Sequence, residues 1–141
     1  MISSSFPDLN VLLALVAHEH VHSAIARRWW KSHEGSIVIC RISQLGLLRL
    51  LTTAAVMWNK PLSLDRAWQV YDGLFADDRV IFVYDHQETD AVFRAKAVGD
   101  ASSPKLWADA WMLAIAGAAG GVLVTFDNAL ASRGAHCLLS K

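Results

Sequence analysis

Asp109 is the residue whose surroundings ask most directly for chemistry. It lies in Leu106-Trp-Ala-Asp-Ala-Trp-Met-Leu-Ala-Ile-Ala116, where nearly every other side chain is apolar. A carboxylate buried there without a cation, donors or water is too costly to persist. Two plainer readings stand beside a site: a pair with Lys105 at i−4, the poorer orientation for a helix pair, or a carboxylate that faces solvent. Asp127 ends the run Val122-Leu-Val-Thr-Phe126 and precedes Asn128, and Asp8 ends Phe6-Pro. Either could simply cap the helix that follows, as could Asn10 after Asp8. As a set the three are stronger than singly. Three hard oxygen ligands suit Mg²⁺ or Mn²⁺, with water and phosphate oxygens completing the shell. Such a centre polarises a phosphodiester and generates hydroxide near neutral pH. Asp85 also follows a strand, and pattern alone does not separate it from the other three.

Positioning such a set needs elements that deliver carboxylates to one place. Residues 2–7 read as a first strand, weakened by three serines, with a helix over Val11–Val16 after it. A second helix is predicted for 19–33, with Ala24, Ile25, Trp29 and Trp30 at helical spacing and Gly35 as its stop. Ser36–Arg41 reads as a buried strand, and Ser43 as the cap of a leucine-rich helix over Leu45–Leu51. Ser63 starts a helix reaching Phe75, and Arg79–Tyr84 is a third strand. A polar helix over 86–98 closes at Gly99. There follow an apolar helix over 105–119, a strand over 122–126, a helical turn near Asn128–Ser132 and a last strand over 135–139. Near-continuous apolar strands separated by helices predict an α/β fold, a mainly parallel sheet covered on both faces. In such sheets the site lies beyond the carboxyl ends of the strands. Asp8, Ser43 and Gln44, Asp85 and Asp127 are the polar residues found there.

The chain of 141 residues is long enough for one domain with a true core, and the reading takes 1–141 as that single domain. It is 54% hydrophobic and 18% charged, which excludes a disordered chain. Its 13 basic and 13 acidic residues leave no net charge, so any grip on nucleic acid must be local or modest. Cys40 and Cys137 match no zinc spacing and read as buried, reduced thiols. Met1-Ile-Ser-Ser-Ser-Phe6 lacks a basic region and cleavage site, which points to a cytoplasmic protein. Leu106–Val124 has about the length of a membrane span. Its alanines and glycines gain little from lipid, and Gly120-Gly121 breaks the helix, so a buried helix followed by a strand, and no membrane, is the reading.

Four segments resemble the PIN-domain family, and in particular the VapC-type toxins of bacterial toxin–antitoxin pairs. They are Phe6-Pro-Asp8-Leu-Asn10 with its leucine-rich continuation, Ser43-Gln-Leu-Gly-Leu-Leu-Arg-Leu-Leu-Thr52, Lys105-Leu-Trp-Ala-Asp109 and Leu123-Val-Thr-Phe-Asp127. They fall in the family's order and cover almost the whole chain. The resemblance implies a three-layer α/β/α sandwich around a parallel sheet and Mg²⁺-dependent (or Mn²⁺-dependent) RNA cleavage. It also implies a homodimer and a partner antitoxin. It maps the acidic site onto Asp8, Asp109 and Asp127, and Thr125 onto a hydroxyl beside the last acid. Asp85 falls outside that site, as a turn residue. Many PIN domains carry a glutamate early in the helix after the second strand, and Gln44 stands there instead. A neutral amide oxygen can still ligate or hold a water, but it removes one charge from the site.

The remaining polar and aromatic residues have competing readings. On a helix, His18 and His22 would share a face suited to a transition metal; with His20, they also read as a solvated helix start, and by resemblance as structural. Arg27-Arg28-Trp29-Trp30 mixes charge and aromatics as RNA surfaces do, or is a helix with solvated arginines and packed tryptophans. Arg49 among leucines pairs a site carboxylate or touches phosphate. Trp107 and Trp111 share a face rotated from Asp109 and read as core or dimer packing. The expectation is therefore a toxin-type endoribonuclease that hydrolyses RNA phosphodiesters with metal-activated water, in which Gln44 and Thr125 orient water or substrate. One alternative is a catalytically weak PIN-like module acting mainly through partner binding, which Gln44 favours. Another, a nucleotide or phosphoryl-transfer enzyme, would need a phosphate cradle, and no glycine-rich loop of that kind follows a strand.

Overall fold

In the computed structural model, which describes residues 4–139, short strands run parallel through the middle of the molecule. The elements are β1 (Ser5–Pro7), α1 (Leu9–Val16), α2 (Ser23–Ser32), β2 (Ile37–Ile39), α3 (Arg41–Leu51), α4 (Leu64–Leu74), β3 (Val80–Phe82), α5 (Gln87–Lys96), α6 (Lys105–Ala118), β4 (Val122–Thr125), α7 (Asn128–Ala131) and β5 (His136–Cys137). The strands lie in the order β3-β2-β1-β4-β5, with Ser5 beside both Ile37 and Val122. Every pairing is parallel. The first residues of the strand expected over 2–7, and the two terminal residues 140–141, lie outside the described part.

The alternation of side chains along each strand builds two cores, one on each face. Ile37, Ile39 and Val124 pack with Val11, Leu12, Leu47, Leu51 and Tyr71 of α1, α3 and α4. Phe6, Val38 and Leu123 point the other way, onto Met112, Leu113, Ile115 and Ala116 of α6. This is the three-layer α/β/α sandwich. Burying side chains such as Phe6, Leu12 and Ile39 completely stabilises by about 1.5–3 kcal/mol each. Cys40 and Cys137 are buried and unpaired by any disulfide.

Two glycines let α6 turn straight into β4. Gly120 has φ +70, and the amides of Gly120 and Gly121 return to the carbonyls of Gly117 and Ala116, closing the helix in a Schellman arrangement. A Cβ on Gly121 would lie 2.7 Å from the Ser4 carbonyl oxygen and 2.8 Å from the Phe6 ring, so only glycine lets β4 start against β1. Among the described residues, no helix is long and apolar enough to cross a membrane.

Several boundaries differ from the sequence expectation. Residues 18–22 form successive turns, and α2 begins only at Ser23. Histidine and Val21 are weak helix formers, and the reversal needed to pack α2 on α1 takes up the segment. His18 and His22 therefore do not share a helix face. His20 and His22 instead gather around Phe126, with ring centroids 6.1 and 4.8 Å from it, and the His18 ring meets the Arg27 side chain. α3 starts at Arg41, not Leu45. Its N-cap is Cys40, and Ser43 sits one turn in, accepting from the Cys40 amide at 3.0 Å. The first turn of α6 is exposed, with Trp107 at 61%, so this helix is buried only from Ala110 onward. Arg49 is exposed in the last turn of α3, where it suits the helix dipole and, among the described residues, forms no ion pair.

Candidate active site

The parallel register carries the ends of β1 and β4 to one edge of the sheet. Pro7 lies beside Val124, and the Asp8 amide donates to the Val124 carbonyl at 2.7 Å. Asp8 and Asp127 are thereby delivered from neighbouring strands to the same place. Thr125, with 1% of its surface exposed, ties them together. Its hydroxyl donates to Asp8 Oδ2 at 3.1 Å and accepts from the Asp127 amide at 3.0 Å. Both acids also cap helices. Asp8 Oδ1 accepts from the Leu9 amide at 2.8 Å, and Asp127 Oδ1 from the Ala129 amide at 2.9 Å. Both acids therefore cap helices with one oxygen and keep the other on a side-chain partner, Thr125 for Asp8 and Lys105 for Asp127.

Asp109 reaches this edge from the second turn of α6, half-buried, on the helix that packs against β1 and β4. It senses the charges of the other two. Burial holds the Asp8 carboxyl above its ordinary range, and the Asp127 charge raises it further against the Leu9 and Thr125 hydrogen bonds. Burial likewise raises Asp109, helped by Asp8 and Asp127 and opposed by Lys105 and Arg133. Asp127 is lowered, first by its bond to Lys105 and then by the Ala129 amide. Two desolvated carboxyls that resist ionisation beside a third held ionised by Lys105 form a focus of negative potential at the sheet edge.

Lys105 answers that potential. Its ammonium pairs with Asp127, not with Asp109 one turn along the same helix, and both Asp109 and Asp8 sense it. Sequence spacing placed Lys105 only against Asp109, because a partner across 22 residues leaves no local signal. Arg133, which follows α7, was likewise not legible as a neighbour of Asp109.

Gln44 is buried in the first turn of α3, one strand over. Its amide oxygen accepts from Arg41, and its side chain lies against the Tyr71 phenol. It is therefore engaged on the Arg41 side of the sheet edge and not with Asp8, Asp109 or Asp127. Arg41 in turn covers Phe82, 5.0 Å from the ring centroid, and Tyr84 beyond β3. Asp85 lies in the exposed turn after Tyr84, and its charge is not among those that Asp8, Asp109 and Asp127 sense, as befits a turn residue.

The donor set fits a hard divalent cation that keeps much of its own water. Among the described residues, no three His, Cys, Asp or Glu side chains stand close enough to enclose a metal by themselves. The shared cation expected from sequence is therefore not preformed as a closed cage. An open arrangement matches Mg²⁺, which takes one or two carboxylates and retains several waters.

A parallel sheet, helices on both faces, and acids placed beyond β1, β4 and in the second turn of α6 define a class of α/β/α fold with acids at the sheet edge. The PIN domain family model matches residues 5–135, and the chain belongs to that family. It is 37% identical over 133 residues to Ribonuclease VapC41 of Mycobacterium tuberculosis, covering 90% of this chain and 91% of that one. It is 32% identical over 127 residues to Ribonuclease VapC44 of the same organism, covering 88% and 86%. The crystal structure of Mycobacterium tuberculosis VapC20, titled a Sarcin-Ricin loop cleaving toxin, superposes with a TM-score of 0.68 at 15% identity, covering 92% of this chain and 95% of that one. At that identity the superposition speaks for the fold alone.

Proposed function

We propose that the chain, as one PIN nuclease unit over 1–141, is a metal-dependent endoribonuclease of the VapC toxin type, with Asp8, Asp109 and Asp127 as its metal-binding acids. The observation that carries the assignment of residues is the Thr125 bridge between Asp8 and Asp127, with Asp109 close enough for both of their charges to raise its carboxyl. Mg²⁺ or Mn²⁺ suits these oxygens. Such an ion supplies Lewis acidity to the phosphodiester and lowers the pKa of water.

The chain's own groups do the rest. Thr125 fixes the Asp8 carboxylate, leaving Oδ1 on its helix cap and Oδ2 at the site. Lys105 neutralises Asp127 in the resting protein and is long and exposed enough to swing onto a phosphate oxygen of the substrate. Gln44 and Thr125 are proposed to orient water or substrate. Gln44 does so from the Arg41 side, so its action reaches the scissile group through a phosphate held by Arg41. Cleavage of an RNA in the presence of Mg²⁺ or Mn²⁺, abolished in Asp109→Asn and Asp8→Asn, tests the assignment.

Partner binding follows the same reading. A cognate antitoxin protein is the proposed inhibitor, and co-expression with the product of an adjacent small gene should suppress cleavage. The protein is proposed to be a homodimer in the cytoplasm. Leu64 and Trp68, exposed one turn apart on α4, support self-association. A monomer mass by light scattering at micromolar concentration would reject it.

A further inference from the structure

The chain has no net charge, so a nuclease of this kind needs a local place to grip its substrate. One stands beside the acids. The 97–104 loop between α5 and α6, the exposed first turn of α6 and Arg133 enclose a cavity of about 680 Å³, within the range of small-ligand sites. Lys96, Arg133 and Trp107 are among the residues that line it. The Trp107 ring rests against Phe93, centroid to centroid at 6.3 Å, which fixes its plane while leaving 61% of the residue exposed. Arg133 is held by donating to the Lys96 carbonyl at 3.0 Å, and its charge reaches Asp109. Lys105, between the lining residues Pro104 and Leu106 in sequence, pairs with Asp127. The acid of the loop, Asp100, is exposed and does not line the cavity.

Resting on the ribonuclease reading, we infer that this cavity is a nucleotide subsite for single-stranded RNA: Trp107 stacks a base next to the scissile phosphate, and Lys96 and Arg133 hold the backbone of that nucleotide. A rigid aromatic beside two cations is the combination that single strands use, since every base has a stacking face and every linkage a charge. A second copy of this chain fits the surface poorly. A two-fold contact here would set the Lys96 and Arg133 rim against itself, like charge on like charge.

The test is binding of a fluorescein-labelled, unstructured oligoribonucleotide without divalent metal, read by anisotropy over a salt series, with cleavage in Mg²⁺ and light scattering run in parallel. Trp107→Ala should weaken binding on the order of tenfold, and Trp107→Phe should restore most of it. Lys96→Gln with Arg133→Gln should reduce the slope of log affinity against log salt by about 1.4, since each of two phosphate contacts on a single strand contributes roughly 0.7. Trp58→Ala, at an exposed tryptophan outside the cavity, should bind as the parent does. Parent-like binding by Trp107→Ala and an unchanged salt slope would overturn the subsite, while cleavage by the parent would leave the ribonuclease reading standing. A Trp107→Ala protein that binds RNA normally but loses its dimer would assign the face to self-association and overturn it too. A parent that cleaves nothing, yet loses RNA affinity in Trp107→Ala, would support the subsite and sink the nuclease reading alone.

Discussion

Replacing Thr125 with valine keeps the volume of the side chain and removes only its hydroxyl. Two bonds go with it: the donation to Asp8 Oδ2 at 3.1 Å and the acceptance from the Asp127 amide at 3.0 Å. A bond to an ionised acceptor contributes about 1.5–3 kcal/mol, and a donor left without its acceptor costs about 1–3 kcal/mol. Asp8 and Asp127 are half-buried, so water recovers part of both, and the valine side chain would gain a little from its extra apolar surface. The net expectation is a loss of about 2–4 kcal/mol. For a chain of 141 residues that corresponds to roughly 5–12 °C in melting temperature. Thr125→Ser keeps the hydroxyl and loses a buried methyl, at about 0.5–1.5 kcal/mol. The valine variant should therefore melt well below the serine variant. The gap should depend on pH. The Thr125 bond favours the charged form of Asp8. Its contribution is present while folded Asp8 is ionised and fades as pH falls through that residue's raised carboxyl range. Differential scanning calorimetry from neutral to acid pH reads both. If valine and serine variants melt together at neutral pH, or their gap is the same in acid, the hydroxyl does not organise the acids and the site geometry described above is wrong.

Other outcomes follow from the same electrostatics. Lys105→Met removes a competing cation, so Mg²⁺ or Mn²⁺ affinity by calorimetric titration should rise several-fold; the metal-free protein should lose no more than about 1 kcal/mol, because the pair with Asp127 is largely exposed. Gln44→Glu adds a charge that Arg41 is placed to receive, so the metal-free protein should melt near the parent and, with Arg41 neutralising the new carboxylate away from the three acids, gain the same stability from Mg²⁺ as the parent in thermal melts over a Mg²⁺ series. Asp8 and Asp109 hold protons more tightly folded than unfolded, so their ionisation subtracts stability as pH rises above the unfolded carboxyl range and through their raised folded values. Asp127, held low, works in the opposite sense, and its stabilising share is lost as pH falls through its lowered value. Asp109→Asn should therefore raise metal-free stability at neutral pH relative to the parent, and urea melts from acid to neutral pH should show a flatter profile.

The layers and the strand–acid positions were legible because the physics there is local. Apolar runs such as Val122-Leu-Val mark strands buried on both faces, and Gly120-Gly121 marks the helix stop. Asp8 and Asp127 are legible as candidates because each follows a strand, and Asp109 because it interrupts an apolar helix. What was not legible is non-local. Thr125 reaches Asp8 across 117 positions of sequence and Lys105 reaches Asp127 across 22, and neither spacing carries a pattern. Ser43 reads as an N-cap by type, yet Cys40 takes that position and Ser43 closes the box from inside the helix. The helix expected from residue 19 gives way to turns as far as residue 22 because alternating histidines have no strong preference of their own, and the packing of α1 on α2 decides their backbone.

If Asp8, Asp109 and Asp127 act as one divalent-cation site serving RNA cleavage, metal binding and catalysis should fail together when any of the three is neutralised. Titration of Mn²⁺ into the purified protein, followed by electron paramagnetic resonance of the free ion, tests this most directly when run on the parent and on Asp8→Asn, Asp109→Asn and Asp127→Asn, with cleavage of an RNA measured on the same samples. The parent should bind saturably, each variant should bind with affinity lowered by about tenfold or more, as loss of a supporting ligand group typically costs, and cleavage should be lost in step. Undiminished Mn²⁺ binding in all three variants, or cleavage that survives in them, would contradict the assignment.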